Sequence, residues 1–248
     1  MQPQSVESMF RLIVLATGSK GNGYILTNGE DTLLIEAGAR YKEMLAGLDY
    51  KIETVNGMIV SHEHKDHSKY IEQYLKKGLL VHMPRSMKNN LDLSHVYNAI
   101  SVDIGVTYEL GNFTIKAFEL VHSVDCFGYY IYHKDLGKML FITDTEYVKY
   151  RFSKLGINHI VVEANYSKEL LNRSKVNSNH VLKGHMEINT TTNFLKENDT
   201  SSLKNVVLVH LSDSNSDEQL FSKLTTKVVH EGVRVTIASA GLSVPLEL

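Results

Sequence analysis

The sequence predicts a mixed α/β protein built in layers, and three observations carry that prediction. Segments rich in β-branched and aromatic residues recur between turn residues, helical patterns separate some of them, and the spacings include both hairpin and crossover lengths. The strand candidates, in order, are FRLIVLAT, GYILT, TLLIEAG, GMIVS, LLVHM, NFTIKAFEL, GYYIYH, KMLFITD, HIVVEAN, NVVLVHLS and VRVTIAS. TNGED before TLLIE, and HKDLGK between YYIYH and MLFIT, read as hairpin turns. Helices are expected over Lys69 to Lys77, over Glu146 to Lys154, and after Ser216, where SDEQ reads as a capping box with Gln219 reaching back. No internal repeat is visible, and the loop-like KENDTSSLKN is too short to separate two units. The 248 residues therefore read as a single domain over 1–248, with residues 1–8 as a polar tail and Met9 as an alternative start.

Composition narrows the function classes. With 43% apolar and 22% charged residues, no apolar run approaches the roughly 18 residues of a membrane span. The stretch from Leu12 to Ala16 is shorter than the about 7–15 residues of a secretory core, so a cytoplasmic protein is expected. The single cysteine, Cys126, cannot form an internal disulfide, which agrees with a reducing compartment. A net charge of −2 leaves no global basic footprint for polynucleotides. Lys65, Lys69, Lys76, Lys77, Arg85 and Lys88, facing Asp66 and Glu72, are a local basic candidate that reads equally as a solvated helix face.

Chemistry concentrates in SHEHKDHS, Ser61 to Ser68. After the apolar GMIV the chain leaves a buried strand, and residues two apart in an extended chain share a face. His62 and His64 can therefore grip one ion. Asp66 and His67 follow and can serve a second, in a ligand mix that suits zinc, with manganese or iron if the oxygen share rises. A zincin motif fails because Asp66 stands where its second histidine is required. A zinc deaminase needs a paired cysteine motif, and TGSKGNG is not a serine-hydrolase elbow. Two ions need further ligands, and His122, Asp144 and His210 each follow an apolar strand. Asp144 is the natural bridge, since a carboxylate can give one oxygen to each ion. Singly, each also reads as a satisfied histidine or a helix cap.

This order, His62-x-His64-x-Asp66-His67 followed by His122, Asp144 and His210, resembles the metal-ligand series of the metallo-β-lactamase fold over about Leu12 to Ser216. LATGSKGNGYIL, LLIEAG, VSHEHKDH, FITDT, GHMEIN and VHLSDSN together look like its YycJ/WalJ-like branch, related to tRNase Z and other nucleic-acid phosphodiesterases. The resemblance implies an αββα sandwich with two divalent metal ions per chain, zinc or alternatively manganese, at one edge. His62, His64 and His122 would hold the first ion, Asp66, His67 and His210 the second, with Asp144 bridging. His185 would touch the scissile phosphate and donate a proton, and Ser212 and Asn215 would join it in binding substrate. The resemblance also allows a homodimer, although no segment identifies an interface. Two departures stand out: Glu36 replaces the usual aspartate of LLIEAG, and Glu187 replaces a serine after His185, where a carboxylate would repel phosphate unless it points away.

The implied reaction is phosphodiester hydrolysis by a metal-bridged hydroxide oriented by Asp66, with His185 assisting the leaving alkoxide. GSKGNG is a candidate nest of backbone N–H groups for phosphate, or a plain turn. The expected substrate is DNA or RNA. The alternative is a small or cyclic nucleotide, of the kind some phages degrade to blunt defence signalling. A metal-binding regulator and a β-lactam or thioester hydrolase are remoter readings.

Overall fold

The computed structural model describes residues 9–173 and 184–248; the tail expected over residues 1–8 lies outside them. Strands β1 (Arg11–Ala16), β2 (Gly23–Thr27), β3 (Thr32–Ile35), β4 (Val55–Ile59), β5 (Val81–Pro84) and β6 (Ala99–Val102) form one sheet with β14 (Ser243–Pro245), in the order β14-β1-β2-β3-β4-β5-β6. The second sheet joins β7 (Thr107–Leu110), β8 (Phe113–Leu120), β9 (Cys126–His133), β10 (Gly137–Ile142), β11 (His159–Glu163), β12 (Asn205–Val209) and β13 (Arg234–Ile237), in the order β13-β12-β11-β10-β9-β8-β7. Both expected hairpins, β2–β3 and β9–β10, are antiparallel pairs.

The strand alternation builds three apolar layers. Leu26, Leu33 and Ile35 face Phe113, Ile131 and Phe141 between the sheets. Their neighbours Ile25 and Leu34 point outward onto α1 (Tyr41–Gly47) and α3 (Ile71–Lys76), through Met44, Tyr74 and Leu75. On the other sheet Leu140, Ile142, Val206 and Leu208 point outward onto α6 (Ile188–Asn198) and α7 (Glu218–Thr226), through Leu195 and Phe221. Strands apolar on both faces demand cover on both sides, and the result is the αββα sandwich. Short helices α2 (Lys65–Ser68), α4 (Arg85–Asn90) and α5 (Lys168–Arg173) complete the described set. Among the described residues no helix is long and apolar enough to cross a membrane.

Two local expectations need correction, and one helix was not expected. Glu146 to Lys154 is irregular, ending in a 3₁₀ turn at Ser153–Leu155, because Glu146 N donates to Val121 O and Thr145 Oγ1 to Tyr147 O, pinning the segment against the sheet. The cap of α7 is Asp217, one residue beyond Ser216, and it accepts from Leu220 N. Helix α6 was hidden by INTTTN, whose β-branched and polar residues are weak helix formers; Glu187 caps it and burial of Phe194 and Leu195 holds it.

His159 shows how burial sets pH response. Its Nε2–H donates to Leu136 O at 2.9 Å and its Nδ1 accepts from the Asn205 amide at 3.0 Å, which suits a neutral ring. Burial pushes its pKa from 6.5 down to about 4. The unfolded chain binds this proton near pH 6.5 and the folded chain only near 4, so this contribution is complete above pH 6.5 and lost as the pH falls. His159→Gln should shrink the stability difference between pH 7 and pH 5 by roughly 2 kcal/mol, read from urea unfolding at both values.

Candidate metal centre

The parallel runs β3–β4 and β10–β11–β12 point their carboxyl ends to one edge of the sandwich, and the chemistry-bearing side chains collect there. Three residues leaving these strands, Glu36, Asp144 and His210, hold left-handed backbones with φ of 65°, 43° and 54°. Such conformations cost on the order of 1–3 kcal/mol each for non-glycine residues, a strain that clusters at functional sites.

His62, His64, His122 and Asp144 bring one ligand atom each to within 4.8 Å of one another, and Asp66, His67, Asp144 and His210 do the same beside them. His122 Nε2 is 3.0 Å from His64 Nδ1. Asp144 serves both groups with different oxygens: Oδ2 lies 3.7 Å from His62 Nε2, while Oδ1 lies 3.2 Å from His67 Nε2 and 3.6 Å from His210 Nδ1. Asp66 Oδ2 is 3.2 Å from His67 Nε2 and 3.3 Å from His210 Nε2.

Groups outside the ligand atoms set the rings. His62 Nδ1 meets Ser61 Oγ at 2.9 Å, and His122 Nδ1–H donates to Gly184 O at 2.8 Å. Gly184, at φ 98°, is required here because a Cβ would stand 2.5 Å from His122 Nδ1. Glu36 lies 3.4 Å behind His67 Nδ1 and accepts from Ser61 N, so the longer acid still braces the site from outside. GSKGNG braces the site: Gly18 N–H is taken by Asn22 Oδ1, and the Asn22 amide reaches His67 Nε2 at 3.0 Å. Gly38 lets this loop approach, since a Cβ there would collide with Asp66 O and the Asn22 backbone.

The donor set fits divalent ions. His62 Nε2 is buried, lacks a hydrogen-bond partner and faces Asp144, which leaves a lone pair aimed at the first group. Burial keeps the His62 ring neutral by driving its pKa well below the usual value. Burial also works against charge on His67 and His210, but Asp144, Glu36, Asp66 and Glu163 outweigh it, raising His67 well above the ordinary value and His210 to about 10. Asp144 stays far below the usual carboxylate range: burial opposes ionisation, and the charges of His210 and His67 overcome it. Both shifts favour the protonated ring, so a cation binding here competes with protons for His67 and His210. Zinc loading at pH 7 should release protons, and affinity should rise with pH. Titration calorimetry in buffers of different ionisation enthalpy measures this, and zero release would contradict the assigned charges.

Glu163, at the end of β11, escaped the sequence reading. It is fully buried and accepts from His185 Nδ1 at 2.7 Å, His210 Nδ1 at 2.9 Å, and the Thr145 and Met186 amides. The signal was an acid closing the apolar run HIVVE, as Asp144 follows FIT. His185 stacks on His210 with centroids 5.2 Å apart, and Glu163 raises its pKa against the opposing effect of burial. Glu187 points away from this cluster, accepting from Asn189 N at 2.8 Å as the α6 cap. Ser212 N donates to Asn165 O, whose side-chain amide bonds His210 O, while Asn215 Nδ2 donates to Ser212 Oγ at 3.2 Å. Ser212 and Asn215 thus lie on the loop beyond His210, without direct contact to the ligand atoms.

The family profile for the beta-lactamase superfamily domain matches residues 32–211. Among curated proteins, the exodeoxyribonuclease YycJ of Bacillus anthracis is 27% identical over 235 residues, 88% of each chain. Among solved structures, the metallo-beta-lactamase fold protein YhfI from Bacillus subtilis has a TM-score of 0.74 at 18% identity, over 95% of this chain and 98% of that one. The short form of human tRNase Z has a TM-score of 0.67 at 17% identity, over 96% of this chain and 100% of that one.

Proposed function

The chain belongs to the beta-lactamase superfamily, and from that premise we propose that it is a dinuclear metal-dependent phosphodiesterase acting as a nuclease on DNA or RNA. The observation that carries the reading is Asp144, whose two oxygens face two separate histidine-rich groups. The 88% coverage of an exodeoxyribonuclease supports the substrate class. His62, His64 and His122 would hold one ion, Asp66, His67 and His210 the other, with Asp144 shared. Two divalent ions, zinc or manganese, would supply a water of lowered pKa and Lewis-acid neutralisation of phosphate oxygens.

The chain's own residues do the rest. Asp66, partly exposed beside His210, orients the attacking water. His185, held by Glu163 through Nδ1, keeps its other edge for the leaving oxygen and delivers the proton. Ser212 contacts the phosphate, with Asn215 bracing its hydroxyl. Glu187 caps α6, so it does not repel the substrate. A cytoplasmic location agrees with the single buried thiol of Cys126.

One observation favours the second reading, a phosphodiesterase for small or cyclic nucleotides. Three of the six cations of the basic stretch are engaged within the protein: Lys76 pairs with Glu72, Arg85 with Asp103, and Lys88 donates to Ala99 O. Zinc- or manganese-loaded protein given labelled DNA, RNA, bis-p-nitrophenyl phosphate and a cyclic-nucleotide panel decides between them. Polynucleotide cleavage is expected; turnover of small diesters alone would replace the nuclease reading with the second.

A further inference from the structure

Beside the cluster lies a cavity of about 380 Å³ that shares His122 as part of its wall. It forms where β8 gives way to β9, and Ile104, Val124 and Phe127 line it with apolar surface. Ile104 is 49% exposed, an apolar side chain whose position the core packing does not explain. The volume sits near the lower end of ligand pockets, about 300–1,000 Å³, which suits one small organic group and not a length of strand.

Charge identifies the group. Glu119, Asp125 and Lys149 supply charge to a polar lining that also includes His122 and Ser123, and Lys149 is already bound by Glu119 at 3.0 Å. With Glu119 and Lys149 paired, Asp125 leaves the lining net negative, so this cavity offers phosphate no free cation. Carboxylates do accept from sugar hydroxyls and from base amino groups, and the apolar wall can take the face of a base.

We propose that the cavity is a nucleoside subsite, holding the base and sugar of one nucleotide while the adjoining phosphodiester lies at the cluster beyond His122. The proposal rests on the phosphodiesterase reading and deepens it: a nucleoside lodged singly belongs to a strand end or a lone nucleotide diester, not to the interior of a duplex.

Saturation-transfer NMR with 2′-deoxyadenosine and thymidine tests it. Transfer to base protons is expected, with no displacement by equimolar inorganic phosphate. Ile104→Trp and Val124→Trp, which fill the cavity from separate segments, should each weaken binding about tenfold or more. Lys51→Trp, at a separate depression of about 150 Å³ lined by Arg11 and Lys51, should leave it unchanged. Absence of transfer, displacement by phosphate, or undiminished binding in both filled variants would overturn the subsite. Hydrolysis of bis-p-nitrophenyl phosphate by the wild-type protein reports separately on the activity. Its absence with nucleoside binding intact would remove the phosphodiesterase reading and leave the subsite.

Discussion

Asp144→Ala should strip both ions and abolish phosphodiester hydrolysis together. Asp144 is 2% exposed, its Oδ1 accepts from Thr143 Oγ1 at 2.7 Å, and its two oxygens address both ligand groups. Removing it leaves His67 and His210 without the charge that keeps the cluster balanced. Loss of one group stabilising developing charge typically costs about 10²–10³ in rate, so loss of the shared ligand should exceed about 10³. Metal content by mass spectrometry and turnover of bis-p-nitrophenyl phosphate measure the two effects. Asp144→Asn is the control for shape, since asparagine tolerates the left-handed backbone at this position. Full activity in the alanine variant would end the dinuclear reading.

Glu163→Gln should lower kcat by about 10²-fold or more while leaving most of the metal in place. Glu163 lies outside both ligand groups assigned to the ions, and its Oε1 accepts from His185 and His210 together. An amide can offer only one acceptor oxygen, so its NH₂ must confront either the paired imidazole N–H groups or the Thr145 and Met186 amides. Groups that orient ligands from outside typically contribute 10–100-fold, and here the same carboxylate also raises the His185 pKa against burial. The distinguishing readout is the pH profile. With Glu163 gone, the His185 pKa falls toward its ordinary value, so the fraction carrying the proton for the leaving oxygen declines at lower pH than in the wild type. An unchanged profile with reduced kcat would make Glu163 structural only.

The ligand candidates were legible because metal chemistry demands particular side chains and because strand ends announce themselves. An apolar run followed by histidine or aspartate marks a place where a buried strand opens onto a cleft. The same rule applied to HIVVE would have found Glu163. It could not have found Asn22, because nothing local separates a buried amide from an ordinary turn residue, nor the irregular course of residues 146–152, where sheet contacts override helical spacing.

The sequence by itself determined the layered α/β class, through alternation that requires cover on both faces of each sheet, and the inventory of donors in SHEHKDHS with His122, Asp144 and His210. Tertiary structure alone decided that these donors form two groups sharing Asp144, which nitrogen of each imidazole faces them, that Glu36 braces His67 and Ser61, and that Glu187 caps α6. Those outcomes depend on contacts such as His122 with Gly184 and His210 with Asp66, between residues 62 and 144 positions apart. Only the convergence of parallel strand ends from two sheets brings such residues together, and a local pattern carries no record of it.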